Sequence, residues 1–258
     1  MRKKIILFAA LTALVTAGLA AEMTGLEVME AVYHRPKGNG MTSELVMTIT
    51  NSRGSVRERS IQQYQLDENG VEKKMMFFTA PADVKDTSFM TWSYDSGQAD
   101  DQWIYLPAMR RIRRIASDSK NDSFMGSDFT YEDMTLRHPG LDTHRVTGEE
   151  QIQGRSYLVV ESTPLAAPQE YSKTRSWIDP DTFVGIRKEF IDASGQVVRR
   201  LTVGDTRLVD GFWVITDMTM ENLLKNSSTR IQMKNVAFNT GLNDGFFSER
   251  QMQRGAQR

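Results

Sequence analysis

Residues 44–79 read ELVMTITNSRGSVRERSIQQYQLDENGVEKKMMFFT, and the period of this stretch decides the fold. Leu45, Met47 and Ile49 alternate with Val46, Thr48 and Thr50, as side chains do when they point to the two sides of a strand. Asn51, Ser52 and Gly54 then turn the chain into a second strand over residues 56–66. Asp67-Glu68-Asn69-Gly70 returns it into a third over residues 71–79. The stretch is a meander of hairpins.

Upstream the period is different. Thr24-Gly25-Leu26-Glu27 has the form of a capping box, and Leu26, Met29, Val32 and Tyr33 recur at helical spacing until Pro36 and the glycines at 38 and 40. An amphipathic helix therefore precedes the strands. Before it, Arg2, Lys3 and Lys4 lead into an uncharged apolar run over residues 5–20 that ends in small residues, the form of a secretory signal peptide cleaved after Ala20. No cysteine follows that could carry a lipid anchor, so the expected product is a periplasmic protein of residues 21–258.

Downstream, residues 88–94, 102–106, 111–115, 143–152, 157–163, 173–178, 183–191, 196–203, 212–221 and 228–238 read as further strands bounded by Gly, Pro, Asp or Ser clusters. The spacing predicts a mainly β protein with a large antiparallel sheet, open or nearly closed, of about ten or eleven strands. No linker or internal repeat divides it, which makes residues 21–258 one domain. Its longest irregular excursion is residues 117–139, and the polar tail over residues 248–258 is expected to fray.

Composition narrows the function. Of 258 residues 40% are apolar and 25% charged, the balance of a packed globular chain. Lys and Arg number 32 against 33 Asp and Glu, and loss of the signal peptide leaves 29 against 33, so a basic nucleic-acid-binding surface is not expected. With no cysteine and three histidines, little remains for thiolate metal sites or acid-base catalysis. His138 and His144 could share a metal, yet no third ligand has diagnostic spacing. There is no G-x-S-x-G elbow, P-loop, dinucleotide fingerprint or H-E-x-x-H helix. Asp100 with Asp101, or Asp128 with Glu132 and Asp133, could form an acid pair for glycoside hydrolysis, but surface turns account for such carboxylates more simply. Neither catalysis, nor a cofactor, nor a metal is expected.

What stands out is large, adaptable apolar side chains on strands. Leu45, Met47, Met75, Phe77, Met90, Trp92, Trp103, Tyr105, Met218, Met220 and Met233 are the candidate lining of an apolar cavity, because methionine is flexible and polarizable enough to receive irregular chains. The alternative is that they fill a core, and a one-residue slip of strand parity would exchange the faces they occupy. Arg110, Arg111, Arg113 and Arg114 either protect a sheet edge or grip an anionic headgroup or partner. Phe124, Met125, Gly126, Phe129 and Tyr131 suit a flap over an apolar mouth, or else a packed loop.

Three segments carry a family resemblance: PADVKDTS at 81–88, WIYLPAMRRIRRI at 103–115 and SFMGSDFTYED at 123–133. Their order resembles the outer-membrane lipoprotein-sorting protein family, a branch of the LolA/LolB/RseB-like superfamily, over nearly the whole mature chain. The resemblance implies an unclosed antiparallel β-barrel, or half-barrel, with helices covering its concave face and acyl chains bound inside. It also implies a carrier that makes transient membrane contact and partners a resistance-nodulation-division (RND) type inner-membrane lipid exporter. An envelope-stress sensor that binds a membrane-protein partner in response to lipid is the alternative. Such members carry an additional C-terminal domain, whereas strands here reach almost to residue 258. A carrier has a clear physical task, since exposing an acyl chain of about 16 carbons to water costs about 13 kcal/mol at roughly 0.8 kcal/mol per methylene.

Overall fold

The alternation at residues 44–79 continues through the rest of the chain. A computed structural model describes residues 23–166 and 171–256, and the predicted signal peptide over residues 1–20 lies outside the described residues. The strands are β1 (Gly40–Thr50), β2 (Val56–Glu68), β3 (Val71–Ala80), β4 (Ser88–Tyr94), β5 (Asp101–Leu106), β6 (Arg111–Arg114), β7 (Asp142–Ile152), β8 (Arg155–Pro164), β9 (Lys173–Ile178), β10 (Gly185–Ile191), β11 (Val197–Val209), β12 (Phe212–Asn222) and β13 (Ser227–Phe238). They form one antiparallel sheet in the order β6-β5-β4-β3-β2-β1-β13-β12-β11-β10-β9-β8-β7. The edge strands β6 and β7 are not paired with each other, so the sheet is unclosed.

Two expectations need correction. The sheet has thirteen strands, not ten or eleven, because every alternating segment finds a partner, down to the four-residue arginine strand β6. Helical cover is slight: among the described residues the α-helices are α1 (Gly25–Tyr33) and α2 (Glu249–Arg254). The segment between β6 and β7 covers the sheet as short 3-10 turns, since its Ser, Asp, Gly and Pro residues offer the backbone local bonds that compete with a helix. The expected capping box does form: the Thr24 hydroxyl accepts from Glu27 N at 3.3 Å while the Glu27 carboxylate accepts from Thr24 N at 2.7 Å.

Register assigns side chains to faces, because residues paired across neighbouring strands point the same way. One row runs Val146, Val160, Ser176, Lys188, Leu201, Met220, Thr229, Ile49 from β7 to β1. This face carries a core in which Leu45, Met47, Ile61, Phe78 and Phe89 meet Phe124, Phe129 and Met134 of the irregular segment. On the opposite face, Leu66, Met75, Phe77 and Met90 pack against Phe246, Phe247 and Met252. The tail is therefore held through residue 256: α2 buries Met252 completely, and the Ser88 hydroxyl donates to its carbonyl at 3.0 Å. One methionine in an otherwise polar helix is enough to dock it.

Candidate functional site

Helix α1 lies over β7 to β9. Val28 is fully buried against Val160 and Ile178, and Gly25 comes so close that a Cβ there would sit 2.5 Å from the His144 carbonyl carbon. Between the helix and strands β8 to β12 lies a cavity of about 210 Å³. Its roof is Met29, Val32 and Tyr33 of α1 with Leu136, Arg137 and Pro139; its floor includes Ser162, Thr174, Ser176, Ile178, Lys188, Leu201 and Ile215. The lining is apolar or hydroxyl-bearing around a few charges, the make-up of a ligand site, although smaller than the about 300–1,000 Å³ usual for one.

Most of the charged side chains in and around the cavity have hydrogen-bond or ion-pair partners. Arg137 donates from Nε and Nη2 to Asp142 at 3.0 and 2.9 Å and from Nη1 to Glu132 at 3.2 Å. Arg199, buried deeper, donates to Asp133 at 2.6 Å. Arg187 lies 4.8 Å over the Trp177 ring and 3.7 Å from Glu150, and Arg35 donates to the Trp213 carbonyl at 2.6 Å. His144 is held between the Ser162 hydroxyl at 2.7 Å and the Pro139 carbonyl at 2.9 Å. Lys188 has no such partner among the described residues; its ammonium lies 5.1 Å from the Phe190 ring centroid. Burial lowers its pKa, against the pull of Asp133 and Asp142. Burial also pushes the Tyr33 hydroxyl at the roof, and Tyr171 beside Phe190, up to about 12.

The eleven residues expected to line a cavity do not come together. Leu45, Met47, Met218, Met220 and Met233 share the cavity's face but belong to the core beside it. Met75, Phe77, Met90, Trp92, Trp103 and Tyr105 lie on the opposite face with the C-terminal segment. None of the eleven lines the cavity beneath α1. The residues that do were missed because serines, threonines and a lysine on strands carry no apolar signal. The helical stripe of Met29, Val32 and Tyr33 was the available clue, since it is wider than the contact made by Val28.

Phe124 and Phe129 are buried, and Phe124 meets Phe78, Phe89 and Tyr131 with ring centroids 6.1, 5.0 and 5.5 Å away. Met125 and Tyr131 pack on the same core, and the turn at Gly126 is closed by the Ser127 hydroxyl donating to the Phe124 carbonyl at 2.7 Å. Thr229 donates to Asp128 at 2.7 Å, tying the turn to β13. The segment is thus a plug. Asp128 also accepts from Ser227, Glu132 accepts from Arg137 and Asp133 from Thr130 and Arg199, while Asp101 pairs with Arg114 and accepts from Tyr94 at 2.8 Å. Arg110, Arg111, Arg113 and Arg114 are exposed along the β6 edge.

Comparison with known proteins places this geometry. A family model described as "-like: Uncharacterized protein" matches residues 70–254. A DUF1329 family protein from Desulfovibrio piger is 31% identical, with a TM-score of 0.83 over 89% of this chain and 98% of its own. An outer-membrane lipoprotein-sorting protein domain from Vibrio parahaemolyticus is 29% identical, also with a TM-score of 0.83 over 89% and 98%. A LolA superfamily protein from Nitrosomonas europaea, 17% identical with a TM-score of 0.68 over 89% and 99%, shares the fold. No curated protein matches the sequence.

Proposed function

Because the chain belongs to the DUF1329 family and is similar over nearly its whole length to an outer-membrane lipoprotein-sorting protein domain, we propose that it is a non-enzymatic periplasmic carrier that receives an acyl chain of a lipid or lipoprotein in the cavity beneath α1. The observation that carries this reading is the cavity itself: an apolar roof supplied by a helix that is seated at one end and leaves a gap at the other. A volume of about 210 Å³ accommodates part of one chain, and more is admitted when α1 lifts. Leu201 is shared between the cavity lining and the neighbouring core, so a longer chain extends past it toward Met218 and Met220.

In this reading α1 is the movable cover, and Leu136, Arg137 and Pro139 beside it belong to the fixed wall. Met75, Phe77, Met90, Trp92, Trp103 and Tyr105 hold the C-terminal segment and do not touch cargo. The exposed arginines at positions 110, 111, 113 and 114 meet lipid headgroups, or the acidic surface of an RND-type inner-membrane exporter that supplies the cargo. Delivery then needs only a modest change in α1 docking, because a carrier must release what it holds.

The test is lipid mass spectrometry of protein released from the periplasm by osmotic shock, beside a Leu201→Trp variant that fills the cavity. The expected result is a stoichiometric acyl lipid on the wild type and none on the variant. Protein that fractionates elsewhere, or carries no lipid and binds no fluorescent acyl probe after purification, would overturn the proposal.

A further inference from the structure

Lys188 is the one charged residue in a row that otherwise runs Val146, Val160, Ser176, Leu201, Met220, Thr229, Ile49 across eight strands. It lines the cavity floor. The charged groups acting on it are Asp133, Asp142, Arg137 and Arg199. These compensate one another: Asp142 is bound by Arg137 and Asp133 by Arg199. The Phe190 ring returns only a weak cation–π attraction. A half-buried ammonium with three donors is thus left facing a largely apolar space.

We propose that Lys188 selects, as cargo, a single-chain amphiphile ending in a carboxylate, so that the acidic group enters the cavity with its chain instead of staying in water. This rests on the cavity being an acyl-chain site. One uncompensated ammonium matches one negative charge, and the small volume suits one chain better than several. The other cations of the lining support the same polarity. Arg137 is neutralised by Asp142 and Glu132, whereas Arg35 donates to the neutral Trp213 carbonyl and adds positive charge to the lining. A carboxylate at Lys188 would gain a charge-assisted bond to a half-buried ammonium. A neutral ester or alcohol could accept a hydrogen bond from the ammonium but would leave its charge unneutralised.

Binding of cis-parinaric acid and of its methyl ester, followed by polyene fluorescence on the purified and delipidated protein, separates the two layers of this reading. The wild type is expected to bind the acid about tenfold to a hundredfold more tightly than the ester, the span of one charge-assisted hydrogen bond. Lys188→Met is expected to keep ester affinity and lose the preference, while Lys188→Arg keeps most of it. Equal affinities of acid and ester in the wild type, or a preference that survives Lys188→Met in protein with a native circular dichroism spectrum, would overturn the role of Lys188 and leave the acyl cavity standing. Binding of neither probe would overturn both. Should Lys188→Met not fold, the wild-type comparison decides alone.

Discussion

The two halves of the sheet are built by one rule and finished in different ways. Around β2 to β5 both faces are closed, by Phe124 and Phe129 on one side and by Phe246, Phe247 and Met252 on the other. Around β7 to β10 one face meets a short helix that buries little beyond Val28. The other carries charged pairs such as Lys173 to Glu161 at 2.8 Å. Aromatic layers on both sides make the first half a rigid support, whereas the second retains free volume and an uncompensated charge. Since close packing is the default for apolar strands, the half that departs from it is the one to associate with binding.

The largest effects should come from the closed half. Phe124→Ala is expected to cost about 3–5 kcal/mol in denaturant unfolding, and Met252→Ala about 2–5 kcal/mol, as usual for emptying fully buried sites. Neither should change acyl-probe affinity per folded molecule. A loss of affinity in Phe124→Ala at conserved stability would make the plug a gate and reverse the contrast between the halves. A smaller effect of opposite character is expected at α1. Gly25→Ala places a methyl group 2.5 Å from the β7 backbone, which cannot yield as a side chain could, so the helix must shift. The expected outcome is a loss of about 1–3 kcal/mol, as for overpacking, with faster amide exchange confined to α1 and its contacts and weakened probe binding. Unchanged exchange in α1 would show that it is not the movable cover.

The strands were legible in the sequence because alternation needs only a local pattern, and the capping box at Thr24 and Glu27 located α1 for the same reason. Facing was less legible. Met75, Met76, Phe77 and Phe78 are all buried, two on each side of β3, so a continuous apolar run reveals the strand and hides its phase. The cavity was hidden further, because it lies between a short helix and strands and is floored by residues such as Ser176 and Lys188 that resemble a solvated strand face. The docked tail rests on Met252 alone among polar neighbours, a signal too sparse for periodicity to register.

The smallest and most specific expectation concerns the stability of the open half. The folded-state pKa of Lys188 lies below that of an unfolded lysine because burial disfavours its charge. Below the lowered value the residue is protonated in both states, and folding bears the full cost of bringing that charge inside. The cost fades as pH rises from the lowered value toward the ordinary one, where the unfolded chain binds more protons than the native state. Lys188→Met should therefore raise the melting temperature of ligand-free protein at pH 7, with the gain shrinking at alkaline pH, even as it removes the preference for acidic cargo. A saturating fatty acid should narrow the same gap by stabilising the wild type alone, through mass action on the native state. A variant less stable than the wild type at every pH would mean that Lys188 is already compensated within the fold. The two halves would then differ in free volume and not in charge.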